Sequence, residues 1–253
     1  LWAAIALIIL FAIVLATRLF NAAPIDSIYD AILAGDHEFL VESLSERDEL
    51  GTALALRNQM AIEHPPLLVA IQQQDNRAVE ILLDAGAHLL GDRRLIRYHA
   101  VLDGTPQTLR MLIERMSKSD RFSSYDFVAA GRRGHPRIFE IVQEHARQTG
   151  IDEADDDLLL GAAIGGHAAL VQQLIENGAD PTSGLHGAIR AGDVDLVAEM
   201  LERGADPNEP CAGFPSALFL YVLGEERAMA RMLIEAGAEV DAIDQSGQTI
   251  LAF

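Results

Sequence analysis

The chain has 253 residues, half of them apolar, a composition that suits packed helices together with one membrane segment. The formal net charge of −19 at pH 7 argues against nucleic acid as a partner, because phosphate binding needs a basic surface. A single cysteine, Cys211, excludes a disulfide framework and a cysteine-based metal site. Arginine outnumbers lysine eighteen to one, which we interpret as the composition of a GC-rich bacterial genome.

The charge is unevenly distributed along the chain. Residues 93–147 contain 11 Arg and Lys against 6 Asp and Glu, a net charge of +5, so the remainder carries −24. This basic middle is either ordinary surface variation or a docking patch for an acidic partner surface.

The first predicted element is a transmembrane helix over residues 1–20. No charge occurs before Arg18, and the segment spans about 30 Å as a helix. Trp2 and Phe20 lie at its ends, where membrane aromatics collect, and Arg18 can reach a headgroup. The alternative is a signal-peptide core, but the nearest cleavage site is poor, so a retained signal anchor is favoured. We expect further residues before Leu1 and, if they are basic, a periplasmic location for the rest of the chain.

Residues 21–27 are predicted to be a linker, in which Pro24 ends the membrane helix. A repeated helical domain is predicted from 28 to 253. Its clearest copy runs from Leu185 to Asn208 and contains L-H-x-A, a Gly-Asp turn, an apolar second helix and G-A-D-P-N. Gly204 is expected to end that helix in the left-handed conformation.

Three sequence columns define the repeats. The anchors are Ala31, Ala70, Ala100, Ala130, Ala162, Ala188 and Tyr221. Nine residues later all seven positions are apolar, and three residues earlier all but Arg97 are apolar. An array of helical hairpins is therefore predicted, in which the apolar residues three positions before and nine positions after each anchor are buried. The longest spacing contains an insertion at 47–64, and an eighth repeat is predicted to begin at 244.

The ordered set of motifs resembles the ankyrin-repeat family. The resemblance implies an all-α ankyrin-repeat solenoid of about seven helix-turn-helix repeats, preceded by the transmembrane helix. It also implies that proteins bind in a concave groove and that the positions two and three residues after each anchor face this groove. The predicted partner-binding residues there are Gln72, Gln73, Arg132, Arg133 and Arg190. The three arginines would bind partner carboxylates or pair with acids of neighbouring repeats.

The sequence contains only weak signals for metal binding or catalysis. The acidic run from Asp152 to Asp157 lacks the glycine and glutamate spacing of an EF-hand, so solvated acids at a helix start are expected. His135, His167 and His186 occupy repeat positions, and the other histidines lack paired ligand spacing. Hydrolase and phosphate-loop motifs do not occur. We therefore expect no enzyme activity, catalytic residue, metal, cofactor or small-molecule substrate.

Two functions remain open on the sequence. The first is a single-pass adaptor or accessory subunit of a larger membrane complex in the bacterial inner membrane, holding a protein partner with its repeats. The second is a periplasm-facing inhibitor or immunity protein that covers a toxic or hydrolytic enzyme. They differ in whether the membrane helix is needed to retain the partner.

Overall fold

The computed structural model describes residues 25–45, 65–87, 93–116, 121–152, 154–210, 216–218, 227–243 and 249. Regular structure in this part of the chain is helical, apart from an isolated bridge between Ile243 and Thr249. The thirteen helices within these ranges are α1 Ile25–Ala34, α2 His37–Ser45, α3 Pro66–Gln72, α4 Asn76–Asp84, α5 Arg93–Leu102, α6 Pro106–Arg115, α7 Ser124–Arg133, α8 Pro136–Thr149, α9 Ala154–Ile164, α10 Ala168–Glu176, α11 Pro181–Ala191, α12 Val194–Glu202 and α13 Arg227–Glu235.

The second helix of several repeats begins at a polar residue that accepts a hydrogen bond from the helix backbone. Asp75 accepts from the N–H groups of Arg77 and Ala78 at 3.1 and 3.0 Å. Asp193 and Thr105 accept in the same way at the starts of α12 and α6. These bonds satisfy donors that a helix leaves unpaired in its first turn.

Asp75 also joins the first two repeats. Its second carboxylate oxygen accepts a hydrogen bond from His37 Nε2 at 2.7 Å. Burial alone would raise the pKa of Asp75, but the hydrogen bonds from Ala78, His37 and Arg77 together lower it below its ordinary value. The ionised carboxylate is therefore the form that caps α4 and holds His37.

The anchors and the two apolar columns, three residues before and nine residues after each anchor, are buried wherever the structure describes them, with one partial exception. The anchors from Ala31 to Ala188 are at most 5% exposed. Among the residues nine positions later, only Ala230 is more than marginally exposed. The earlier column is buried as well, and Arg97 within it is 8% exposed. The buried set comprises Ile28, Leu67, Arg97, Phe127, Leu159, Leu185 and Leu218, followed by Leu40, Val79, Leu109, Phe139, Val171 and Val197.

Left-handed residues end several second helices and form turns between the two helices of a repeat, whereas α6 is followed by Met116 in an extended conformation. Gly86, Gly178, Gly204 and Gly237 have φ between 83° and 98°, as expected for glycines that end helices. In the turn, Gly192 has φ 72°, whereas Gln74 takes the equivalent place with φ 57°. That conformation is costly for a residue with a Cβ.

The chain divides into two compact units, Leu1–Asp120 and Arg121–Phe253. In the first unit, the first helices α1, α3 and α5 pack in series, and the second helices α2, α4 and α6 form a parallel series. In the second unit, α7, α9 and α11 pack in series, and α12 packs on α13. Each unit is therefore a stack of helix pairs.

The first helices of the second unit approach each other through glycines. A Cβ at Gly131 would collide with the Leu158 carbonyl of α9, and a Cβ at Gly161 would collide with the Val128 carbonyl of α7. Gly187 of α11 lies in the same way against the Leu160 carbonyl. Backbone atoms of one helix contact backbone atoms of the next at these glycines. The register of the three helices therefore depends on the absence of a side chain at these positions.

Several sequence predictions fall outside the described residues. These are the transmembrane helix over 1–20 with Trp2, Arg18 and Phe20, most of the linker, the insertion at 47–64, the anchor Tyr221 and the start of the eighth repeat at 244. Helix α1 begins at Ile25, three residues before the predicted domain start at 28. Among the described residues, no helix is both long enough and apolar enough to cross a membrane.

The repeat register predicts the response to a larger side chain at a buried anchor. Ala162 is fully buried on α9, so Ala162→Leu should lower the free energy of unfolding by about 1–3 kcal/mol through overpacking. Ala169→Leu is the matched control, because Ala169 is exposed on α10, and it should change stability by less than about 0.5 kcal/mol. Urea unfolding measures both. Equal stabilities for the two variants would mean that the register is wrong.

Candidate functional site

The predicted partner-binding residues lie at the ends of first helices. Gln72 ends α3 and Gln73 follows it, Arg132 and Arg133 end α7, and Arg190 is the penultimate residue of α11. Four of the five are exposed and Arg133 is half-buried. The glutamines belong to the first unit and the arginines to the second, so these residues form two separate candidate surfaces.

The arginines differ in their partners. Arg132 and Arg190 form no ion pair with any residue that the structure describes, whereas Arg133 has an interaction. Several arginines on second helices are paired, as with Arg137 to Glu140 at 3.3 Å and Arg147 to Glu144 at 3.2 Å, whereas the exposed Arg110 and Arg231 form no ion pair among the described residues. Among the described residues, neither Arg132 nor Arg190 pairs with an acid of a neighbouring repeat, and most of the repeat that follows α11, around Tyr221, lies outside these residues.

His167 fixes the backbone beneath Arg132. Its Nε2 donates a hydrogen bond to the Arg132 carbonyl oxygen at 2.9 Å, since a carbonyl can only accept. The ring fits this position because Gly134 and Gly165 have no side chain, and a Cβ at either would collide with it. The histidine therefore holds the end of α7 against the start of α10.

An exposed stripe runs along α7 at helical spacing. Tyr125 is 80% exposed, Val128 is partly exposed and Arg132 is exposed. These residues are three and seven positions apart and therefore lie on one helix face. The sequence prediction missed Tyr125 and Val128, although counting back seven and four residues from Arg132 would have found them.

The equivalent positions on the neighbouring helices, five and two residues before the anchor and two residues after it, are also exposed at least in part. On α9 they are Asp157, Leu160 and Ile164, all partly exposed, and on α11 they are Ser183, His186 and Arg190. Because α7, α9 and α11 pack side by side, the stripes form one surface. We call it the first-helix face, and it consists of Tyr125, Val128, Arg132, Asp157, Leu160, Ile164, Ser183, His186 and Arg190.

His186 lies in the middle row of this face on α11. Burial lowers the pKa of its imidazole, and the negative charges of Glu209 and Asp180 only partly oppose this. Its Nε2 is buried and has no hydrogen-bond partner among the residues that the structure describes. At neutral pH the ring is therefore uncharged and adds no positive charge beside Arg190.

The glutamine surface of the first unit has a different character. Gln72 and Gln73 are exposed, and the next residue, Gln74, donates a hydrogen bond from Nε2 to the Asp103 carbonyl at 2.9 Å. Leu33, at the position on α1 equivalent to Gln72, is 62% exposed. This surface carries amides and an aliphatic side chain, and it lacks the arginines of the first-helix face.

The acidic run and the histidines have structural roles in the described residues. Asp155 accepts a hydrogen bond from Gln143, and Asp156 accepts one from the backbone of Asp180, at 2.9 and 2.7 Å. His99 donates from Nδ1 to Asp103 at 2.6 Å. No group of three His, Cys, Asp or Glu residues in the described ranges could hold a metal ion. The basic residues 93–147 fall on both sides of the unit boundary.

Comparison with known proteins identifies the class. Residues 183–211 match the ankyrin repeat family. The human ASB11 ankyrin repeat domain is similar in structure, with a TM-score of 0.50 at 18% identity over 74% of this chain and 90% of that one. The Bcl-3 ankyrin repeat domain has a TM-score of 0.43 at 17% identity over 89% and 92%. No curated protein matches the sequence. The chain has the ankyrin-repeat fold, as the sequence predicted, and ankyrin repeats generally mediate protein–protein interaction.

The buried position of His186 predicts a specific dependence of stability on pH. Its folded-state pKa lies below the ordinary value of 6.5, so the unfolded chain takes up the proton first as pH falls. The contribution of His186 to the free energy of unfolding is therefore fully present above about pH 6.5. It is lost as the pH falls toward the lower pKa of His186 in the folded chain. His186→Gln, which cannot titrate, should show a smaller loss of unfolding free energy between pH 7 and pH 5. Identical pH profiles for the variant and the parent would contradict this.

Proposed function

We propose that this chain is a protein-interaction adaptor, or accessory subunit, that binds a partner protein through the first-helix face. The observation that supports it is the pair of exposed arginines, Arg132 and Arg190, which form no ion pair in the described residues and lie beside apolar side chains. We propose a binding role without catalysis and without a cofactor.

The paired arginines of α8 and the arginines of the first-helix face differ in what they would gain from a partner protein. Arg137 and Arg147 already have carboxylate partners within reach and would gain little from another protein. Arg132 and Arg190 can form their first ion pairs on binding. Tyr125 adds a rigid aromatic surface of the kind that is enriched in interface hot spots.

We further propose that residues 1–20 anchor the protein in a bacterial inner membrane, with the repeats in the periplasm. The support is the uncharged apolar segment before Arg18 and the aromatic residues Trp2 and Phe20 at its ends. In a membrane complex the anchor would keep the repeats close to their partner and raise its effective concentration.

Affinity purification in mild detergent, followed by mass spectrometry, tests the proposed surface. Arg132→Glu combined with Arg190→Glu should lower recovery of the specific partner by at least about tenfold, because two attractive pairs become repulsive. Arg137→Glu with Arg147→Glu is the control, since it changes the net charge equally on second helices and should leave recovery within about twofold. Equal recovery with both double variants would exclude the first-helix face as the binding site.

The same purification with a variant lacking residues 1–20 tests the anchor. Loss of the partner on removal of this segment would support an integral subunit of a membrane complex. Retention of one soluble enzyme by the repeats alone would instead favour the inhibitor function. Recovery of the full chain in the soluble fraction would contradict the proposed membrane location.

A further inference from the structure

The two arginines of the first-helix face are separated by one intervening helix. Arg132 lies on α7 and Arg190 on α11, with α9 packed between these helices. Packed helices lie about 8–10 Å apart, so two such steps place the arginine positions about 16–20 Å apart. An extended chain rises about 3.3 Å per residue and covers that distance in about five to six residues.

The space between the arginines is apolar. Ile164, at the same position of α9, lies between them in the row, and Leu160 lies one turn earlier on the same helix. Both are partly exposed, as is Val128 on α7. A partner that reaches both arginines therefore crosses an aliphatic strip, where burial of an apolar side chain is favourable.

The charge of the surrounding protein limits which partners fit. The whole chain carries −19, so an acidic segment is repelled at most places and attracted where unpaired arginines are exposed. Such an arrangement gives selectivity through repulsion elsewhere as well as attraction at the site. A basic segment would face Arg132 and Arg190 directly and would be rejected there.

We propose that the first-helix face binds an extended acidic segment of a partner protein, with two carboxylates about five to six residues apart and an apolar side chain between them. The carboxylates pair with Arg132 and Arg190, and the apolar side chain packs on Ile164. Tyr125 provides an aromatic contact beside the Arg132 end. This inference rests on the proposed function and adds the chemistry of the partner.

The experiment selects peptides from a phage-displayed library of random twelve-residue sequences on the full chain in detergent. An enriched peptide is then labelled, and its Kd is measured by fluorescence anisotropy. The expected sequences carry an acidic pair at the stated spacing around an apolar residue. Arg132→Glu with Arg190→Glu should weaken binding by at least about tenfold, while Arg137→Glu with Arg147→Glu should change it by less than about twofold.

A charge exchange separates recognition from loss of folding. Replacing both acidic residues of the peptide by lysine should restore binding to the Arg132→Glu, Arg190→Glu variant and abolish binding to the parent chain. Failure of this exchange to restore binding would overturn direct pairing. Thermal unfolding of each variant checks that the helix pairs remain intact.

Other outcomes overturn the inference in distinguishable ways. The enriched peptides could lack the acidic pair and yet lose binding when Ile164 is replaced by Asp. That result would overturn the proposed partner chemistry but would support the first-helix face as a binding site. Peptides that bind all variants equally would overturn both. A labelled single-stranded DNA that competes with the peptide at equal concentration would show that the face takes a polyanion instead of a peptide. Absence of any enriched peptide would also overturn the inference.

Discussion

The close approach of first helices is the constraint on which the second unit depends. Gly131, Gly161 and Gly187 allow backbone to meet backbone where any side chain would collide, and Ala130, Ala162 and Ala188 are fully buried beside them. Because side chains are nearly absent from this seam, the helices cannot slide without creating clashes or voids. Equivalent positions on α7, α9 and α11 therefore stay aligned, and their exposed stripes form one surface.

The sequence predicted the parts of the fold that depend on residue size and on the regular spacing of apolar residues. The anchors and the apolar columns beside them were visible because they repeat with few substitutions in the helix pairs that the structure describes. The helix-ending glycines were visible in four repeats, and Arg47, Met116 and Ala146 replace them in the other three. Even Arg97, the one charged residue in an apolar column, is buried. The position of Gln74 was less visible, since a turn that normally takes glycine there accepts a strained glutamine with φ 57°.

The candidate site was only partly predictable, because its character depends on contacts between repeats. His135 and His167 occupy equivalent sequence positions, yet only His167 is placed to hold the Arg132 carbonyl, at 2.9 Å. Whether an arginine has an acidic partner also depends on three-dimensional neighbours, as Arg115, paired with Asp84 of the preceding repeat, and the exposed Arg132 illustrate. Tyr125 was missed although it lies seven residues before Arg132 and so shares its helix face; its exposure of 80% follows only once its neighbours are placed.

Site-specific photo-crosslinking in living cells tests the central claim most directly. A photoreactive phenylalanine analogue placed at Val128 or Ile164 would lie on the first-helix face, and the same analogue at Ala169 would lie on the exposed surface of α10. The account predicts a covalent adduct with one partner protein from the first two positions and none from the third. Adducts from Ala169 alone, with none from Val128 or Ile164, would contradict it.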